Sequence, residues 1–317
     1  MIVTRLPPAL AGLAMLAVAS LPGTARALEP GTVDPHLPGV TEGIPVAALP
    51  PPGVYFSNDL AYIDASFQDG SAKPLATPAG GINVVAWVNV PLLLWSSPWH
   101  ILGAQYGAFI AQPLVNLQVH SFISGNNFRT GFYNTIINPA LLSWRVAPNL
   151  FIGANMPIYF RDGSWSENAA INIANHTWTV GPSAAVSYLD GNFMATANLE
   201  FDVQTENKDF APGLRYHSGD IMTVDYTVQQ SFGRWTAGIV GFWIYQVEDD
   251  KLNGSTTPAN FAGLGNSAGN RFEAFSIGPL VGYNFGPVAI NFRYTRDVYA
   301  KNGPQGDIFW FRFALPF

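Results

Sequence analysis

The C-terminal residues 306–317 read GDIFWFRFALPF, and their alternation constrains the fold more than any other feature of the chain. On an extended backbone Phe309, Phe311, Phe313, Leu315 and Phe317 share one face, while Ile308, Trp310, Arg312, Ala314 and Pro316 share the other. A strand with one unbroken apolar face and an arginine midway along the opposite face has few homes. At the lipid midplane that arginine would cost about 2–4 kcal/mol, whereas a polar barrel lumen accommodates it. The stretch before it behaves alike: Val288, Ile290, Phe292 and Tyr294 oppose Asn291, Arg293, Thr295 and Asp297. So do Phe193, Ala195, Ala197, Leu199, Phe201 and Val203 against Thr196, Asn198, Glu200, Asp202 and Gln204, and Met222, Val224, Tyr226 and Val228 against Thr223, Asp225, Thr227 and Gln229.

Charge is scarce. The 317 residues hold 15 basic and 21 acidic side chains, well under the roughly 25% of an ordinary soluble domain, and mean hydropathy is +0.16. Apolar and aromatic residues are too frequent for a disordered chain. An acidic balance without Lys/Arg runs argues against nucleic-acid binding. With no cysteine, thiol catalysis, disulfides and Cys-ligated metals are excluded. Residues 1–27 read as a cleaved signal peptide: Arg5 gives the basic start, residues 9–21 the apolar run, and Ala25-Arg26-Ala27 the small-x-small cleavage site. That run is short of the about 20 residues a spanning helix needs, and the next candidate, residues 82–95, is interrupted by Asn89 and Pro91. An exported, charge-poor chain without spanning helices crosses a membrane as a closed β-barrel, because an open sheet leaves edge groups unsatisfied in lipid.

Residues 28–52 are Pro-rich and lack either period, which reads as a periplasmic N-terminal extension, with insertion into the lumen the weaker alternative. From Gly53 to Phe317 twelve alternating stretches are expected, at about 53–68, 82–95, 104–120, 131–146, 149–161, 176–189, 192–205, 214–232, 234–248, 271–285, 287–299 and 306–317. Alternation in the first is blurred around Asp59 and Asp64. Tight turns at 147–149, 190–192, 232–234 and 285–287 alternate with long polar connections, as in barrels with short periplasmic turns and long outer loops. The fold class is therefore all-β: a closed antiparallel transmembrane barrel of about 12 strands in the outer membrane of a Gram-negative bacterium, rather than a soluble sandwich. Outer-membrane lipids and small solutes are its expected partners.

Several segments resemble the outer-membrane protein family of meta-pathway phenol degradation (the SphA-like group). They are PPPGVYF at the first strand, NPALLSWRVAPNLFIGANMPIYF across a strand–turn–strand, RYHSGD before Asp225, GIVGFWIYQ ending at Gln246, and IGPLVGYNFGP. The terminal Phe317 is similar to the assembly signal of outer-membrane barrels, which implies the barrel assembly machinery as a partner. The resemblance runs from about Pro51 to Phe317. It implies a transporter-type barrel and passive passage of small aromatic or hydrophobic compounds.

Inward-facing polar groups are the candidates for the solute path. Glu200, Asp202 and Asp225 should form an acidic patch on neighbouring strands, and Arg293 and Arg312 a basic one on the last pair, with Arg145 on an earlier strand. Gln246 and Trp310 join them, and Trp87 and Phe242 are read as inward aromatics. Opposed charged walls would orient dipolar or anionic solutes; the plainer reading is that such groups pair and stiffen the barrel. The aromatics Trp144, Trp178, Trp235, Trp243, Tyr188, Tyr226, Tyr283 and Tyr294 are expected on the outside, against lipid. The five histidines lack metal-ligand spacing, so neither a metal nor any other cofactor is expected. His120-Ser121 and His217-Ser218 point to opposite faces as strand neighbours and make poor nucleophile–base pairs, against an enzyme. The alternatives to a channel are a structural, surface-binding barrel without transport and a lipid-modifying enzyme.

Overall fold

A computed structural model describes residues 35–75, 80–121, 125–211, 213–256 and 271–316. The expected signal peptide and Phe317 lie outside the described residues. The strands are β1 (Gly53–Phe67), β2 (Ile82–Ile101), β3 (Ala104–Ala111), β4 (Leu114–Ser121), β5 (Gly125–Phe132), β6 (Ile136–Ala147), β7 (Leu150–Asn155), β8 (Ile158–Tyr159), β9 (Thr179–Val180), β10 (Ser183–Asp190), β11 (Phe193–Gln204), β12 (Asn207–Ala211), β13 (Leu214–His217), β14 (Ile221–Phe232), β15 (Trp235–Gln246), β16 (Lys251–Leu252), β17 (Ser255–Thr256), β18 (Glu273–Asn284), β19 (Ala289–Lys301) and β20 (Pro304–Pro316).

Every wall pairing is antiparallel, and β1 closes the barrel by pairing with β2 on one side and β20 on the other. Four wall strands are bent into two pieces each: β3–β4, β5–β6, β7–β8 and β9–β10. Prolines sit at three of the bends (Pro113, Pro157 and Pro182), where a residue without an N–H cannot extend the ladder. Joined in this way the wall has twelve strands, the number expected. Three expected boundaries move by six residues or more. The second stretch runs on to Ile101 rather than 95, the fourth begins at Gly125 rather than 131, and the eighth begins at Ile221 rather than 214. Residues 214–217 instead form β13 of a small sheet with β12, β16 and β17 in the outer loops.

That sheet is held by Asp250, fully buried, which accepts hydrogen bonds from the Tyr216 hydroxyl (2.6 Å), the Gly219 amide (2.8 Å) and Gln246 Nε2 (2.6 Å). Burial pushes the Asp250 carboxyl up to about 7, with Asp249 adding to the rise, against the pull of its three donors. Since the folded value lies above the unfolded 3.8, the loop packing is most stable below the unfolded value and weakens as pH rises through about 7. Protection of the Gly219 amide against hydrogen exchange, corrected for intrinsic rate, is expected to fall between pH 5 and 8, and Asp250→Asn should flatten that dependence.

Alternation fixes which side chains enter the lumen. In β11, Thr196, Asn198, Glu200, Asp202 and Gln204 are buried, and in β14, Thr223, Asp225 and Thr227. The inner faces of β2 and β4 are largely apolar instead, with Ala86, Val88, Val90, Val115 and Leu117 buried, and Ala61 of β1 continues that surface beyond the inward Asp59. Trp87 departs from expectation. Its side chain is 57% exposed on the outer face against Tyr62, because the buried positions of β2 are its even-numbered neighbours Ala86 and Val88.

The Pro-rich segment departs most. Residues 35–52 are not a periplasmic extension: they lie within the lumen, climbing from the rim where β1 starts. Ser96 Oγ and Gln105 Nε2 donate to the Pro50 carbonyl (2.7 and 2.9 Å), Ser143 Oγ donates to the Ala47 carbonyl (2.7 Å), and the Ala47 amide donates to Ser187 Oγ (3.0 Å). Higher up, the Gly43 amide donates to Thr227 Oγ1 (2.9 Å). A chain rich in proline cannot add a strand to the wall, so it folds as successive turns whose free amides and carbonyls are satisfied by polar wall side chains. Gly39 and Gly43 take φ of +81° and +76°, conformations that favour glycine.

Candidate functional site: a plugged lumen and an apolar chamber

Two charged clusters hold the plug from opposite walls. On one side Arg312 (β20) directs Nε at both oxygens of Asp59 (β1), each at 2.9 Å, donates Nη1 to the Glu42 carbonyl (2.9 Å) and Nη2 to the Val40 carbonyl. Arg293 (β19) reaches Asp59 Oδ1 through Nη2 (3.1 Å), lies 3.7 Å from the Glu42 carboxylate, and packs its guanidinium 5.2 Å from the Trp310 ring centre. Arg293, Glu42 and Trp310 have no exposed surface. Two arginines thus face two carboxylates, one from the wall and one from the plug.

On the other side His36 places Nδ1 3.2 Å from Glu200 Oε1 and Nε2 3.5 Å from Asp225 Oδ2. Tyr159 donates its hydroxyl to Glu200 (2.7 Å). Asp225 accepts the Gly39 amide (3.0 Å), the Thr41 amide (3.2 Å) and the Thr41 hydroxyl (2.6 Å). Asp202 lies beside Glu200, both carboxylates turned over Gly181, where a Cβ would stand 2.7 Å from each.

Above the plug, towards the outer loops, a cavity of ≈ 290 Å³ opens. Pro35, Leu37, Pro38 and Val40 form its floor. Ala86, Val88, Leu117, Ile136, Phe242 and Ile308 stand among its walls, while Asp297, Asn302 and Ser121 are among its few polar members. One side of this chamber is built differently. Among the described residues β5 pairs with β4 alone, and its other edge meets a loop rather than a strand: the Ser164 amide donates to the Phe132 carbonyl (2.9 Å), and Arg129 holds the Ile171 carbonyl (3.0 Å) and Asn172 Oδ1 (2.6 Å).

The acidic trio and the pair Arg293–Arg312 stand on adjacent strands as expected, but Glu200, Asp225 and both arginines contact the plug, Asp202 lies beside Glu200, and none of the five lines the chamber. Arg145 joins neither group. It lies exposed at the periplasmic rim, bonded to the Pro148 carbonyl (3.1 Å) and stacked on Phe151, because the strand reaches its turn there. Gln246 serves the outer end, donating to Glu248 O (3.0 Å) and Asp250 while accepting the Phe272 amide (3.1 Å). Trp310 is covered by Arg293, whereas Phe242 does line the chamber. His120 and Ser121 point to opposite faces, His120 exposed and Ser121 buried. Sequence reasoning missed Asp59, His36 and Glu42. The one signal available was Asp59 itself, an acid at an inward position in a strand whose alternation was blurred; the partners of His36 and Glu42 lie 164 to 251 residues away, as His36–Glu200 and Glu42–Arg293 show.

A closed antiparallel barrel with an apolar exterior, its lumen filled by residues 35–50 beneath an apolar chamber, defines a membrane-spanning β-barrel with an internal plug. Residues 64–313 match the family described as "Putative MetA-pathway of phenol degradation", and the chain belongs to that family. Its fold is similar to that of an outer membrane channel from Pseudomonas putida F1, with TM-score 0.72 and 15% identity over 90% of this chain and 100% of that one. It is also similar to the transport unit of the autotransporter AIDA-I from Escherichia coli, with TM-score 0.50 and 9% identity over 99% and 100% of the two chains. No curated protein matches the sequence. The protein is placed by its fold in the bacterial outer membrane.

Proposed function

We propose that this barrel passes small hydrophobic compounds, aromatic ones among them, across the outer membrane by passive diffusion, and that the chamber is where the solute rests. The observation that carries the reading is an apolar cavity in a lumen whose lower half is polar and closed. A water-filled pore for hydrophilic solutes would not place its charges in pairs against a plug. At ≈ 290 Å³ the chamber sits at the small end of ordinary ligand sites, about 300–1,000 Å³, which suits a single-ring molecule. The resemblance of the fold to a protein described as an outer membrane channel supports the reading. Below the chamber the plug bars the axial route. The edge of β5, covered by loop 160–178, offers a sideways exit in which an apolar solute never meets the charged clusters. Nothing in this route calls for covalent chemistry or a nucleophile, and Phe317 would serve recognition by the assembly machinery.

Filling the chamber tests it. Ala86→Phe adds a ring at a buried wall position and is expected to cut uptake of a radiolabelled monocyclic aromatic by roughly tenfold, which corresponds to about 1.4 kcal/mol of lost solute binding. A folded variant that takes up the compound at the parental rate would remove the chamber from the path. The plugged lumen itself favours a second reading, a structural barrel displaying its outer loops. Uptake in the parental barrel no faster than in cells lacking it would select that reading.

A further inference from the structure

We propose that His36, Glu200 and Asp202 form a binding site for a first-row divalent transition-metal ion, which staples the plug to the barrel wall. One nitrogen of the imidazole and one oxygen of each carboxylate lie within 4.8 Å of one another, and all three residues are buried. A metal ion with ligands at about 2.1 Å draws such atoms to within about 4.2 Å, a contraction that rotamer adjustment supplies. Charge points the same way. Across the lumen, Asp59 and Glu42 meet Arg293 and Arg312 one for one. Here three carboxylates, Glu200, Asp202 and Asp225, converge on one imidazole, and Glu200 and Asp225 have their ion pairs with His36. Three carboxylates gathered around one imidazole in a buried place make a strongly electronegative donor set, which suits a dication.

Two buried hydroxyls flank Glu200 on the neighbouring strands. Glu200 pairs in register with Ser183 on one neighbouring strand and Thr223 on the other, which puts all three on the lumen face. Ser183 Oγ and Thr223 Oγ1 are buried without a hydrogen-bond partner, and Thr223 is 1% exposed. They supply the remaining coordination positions directly or through water. Tyr159, donating to Glu200, fixes that carboxylate's orientation as an outer partner of a metal ligand does. A mixed nitrogen–oxygen donor set suits Zn2+, Fe2+ or Mn2+ better than Ca2+, which prefers oxygen alone. Binding would displace any proton on His36, leaving Asp225 held by Gly39 and Thr41.

The test is a Zn2+ titration of the folded, metal-stripped full chain in detergent by calorimetry, with Ca2+ as the control. One tight equivalent of Zn2+ is expected, weakened at least ~100-fold in Asp202→Asn and in His36→Ala. His36 lies on the plug rather than the wall, so His36→Ala leaves the barrel strands unchanged; circular dichroism checks the fold of both variants. Zn2+ should also slow proteolysis of the plug in the parental chain and not in His36→Ala. Absence of tight Zn2+ binding, or binding insensitive to both substitutions, overturns the proposal. So does binding abolished by His217→Ala, which would place the ion at the half-buried trio His217, Asp220 and Glu248 in the outer loops.

Discussion

Deleting residues 35–50 is expected to turn a closed barrel into a conducting one. Twelve strands enclose more space than the eight-stranded case, in which wall side chains fill the interior. Here that space is taken by the plug, held by Asp225, Thr227, Ser187, Ser143 and Arg312. Without it those groups face water, and of the six charged residues left around the middle, Asp59, Glu200, Asp202 and Asp225 outnumber Arg293 and Arg312. Conductance in a planar bilayer should rise by roughly an order of magnitude or more, and the reversal potential across a salt gradient should show preference for cations, as rings of carboxylates impose. Because the wall ladders do not involve residues 35–50, the barrel should still fold. Unchanged conductance from a demonstrably folded deletion variant would mean that the wall itself closes the path.

Arg312→Ala should have the largest effect of any single substitution. This guanidinium satisfies four acceptors at once: both oxygens of Asp59 and the carbonyls of Val40 and Glu42. Removing one partner of a buried pair costs about 3–5 kcal/mol, because the other charge is left without compensation. Arg293 retains one contact with Asp59 at 3.1 Å, which places the expected loss nearer the lower figure. The loss has two readouts: a lower midpoint of denaturant unfolding, and faster proteolysis of residues 35–50, since two of the four bonds are made to the plug. Arg312→Lys keeps the charge but not the planar fork, so it should recover the midpoint in part while leaving the plug loosened. If both readouts match the parental protein in Arg312→Ala, the arginine does not hold the plug.

The charged positions were legible in the sequence as positions but not as partners. Period-2 alternation put Glu200, Asp202, Asp225, Arg293 and Arg312 inside, because the rule that sorts charge from lipid acts residue by residue. Alternation misled at Trp87, in a stretch where Val84 to Val90 is apolar on both faces apart from Asn89, so that the pattern carries no phase. It misled differently at Arg145, where the face was of the expected kind but the strand ended at its turn.

What the sequence by itself determined is the wall. Lipid outside and polar groups inside leave a spanning strand one acceptable alternation, turns alternate in length for the same topological reason, and both signals are local. What only the tertiary structure decided is the interior. Residues 35–52 carry no periodicity, since they form no ladder. Their place in the lumen follows from hydrogen bonds to wall residues as distant in sequence as 186 positions, from Gly39 to Asp225. The apolar chamber arises likewise from small and branched residues of strands that meet only when the barrel closes. Local pattern records which way a side chain points; what it meets there depends on closure, which brings β20 against β1 and residues 35–50 into the lumen.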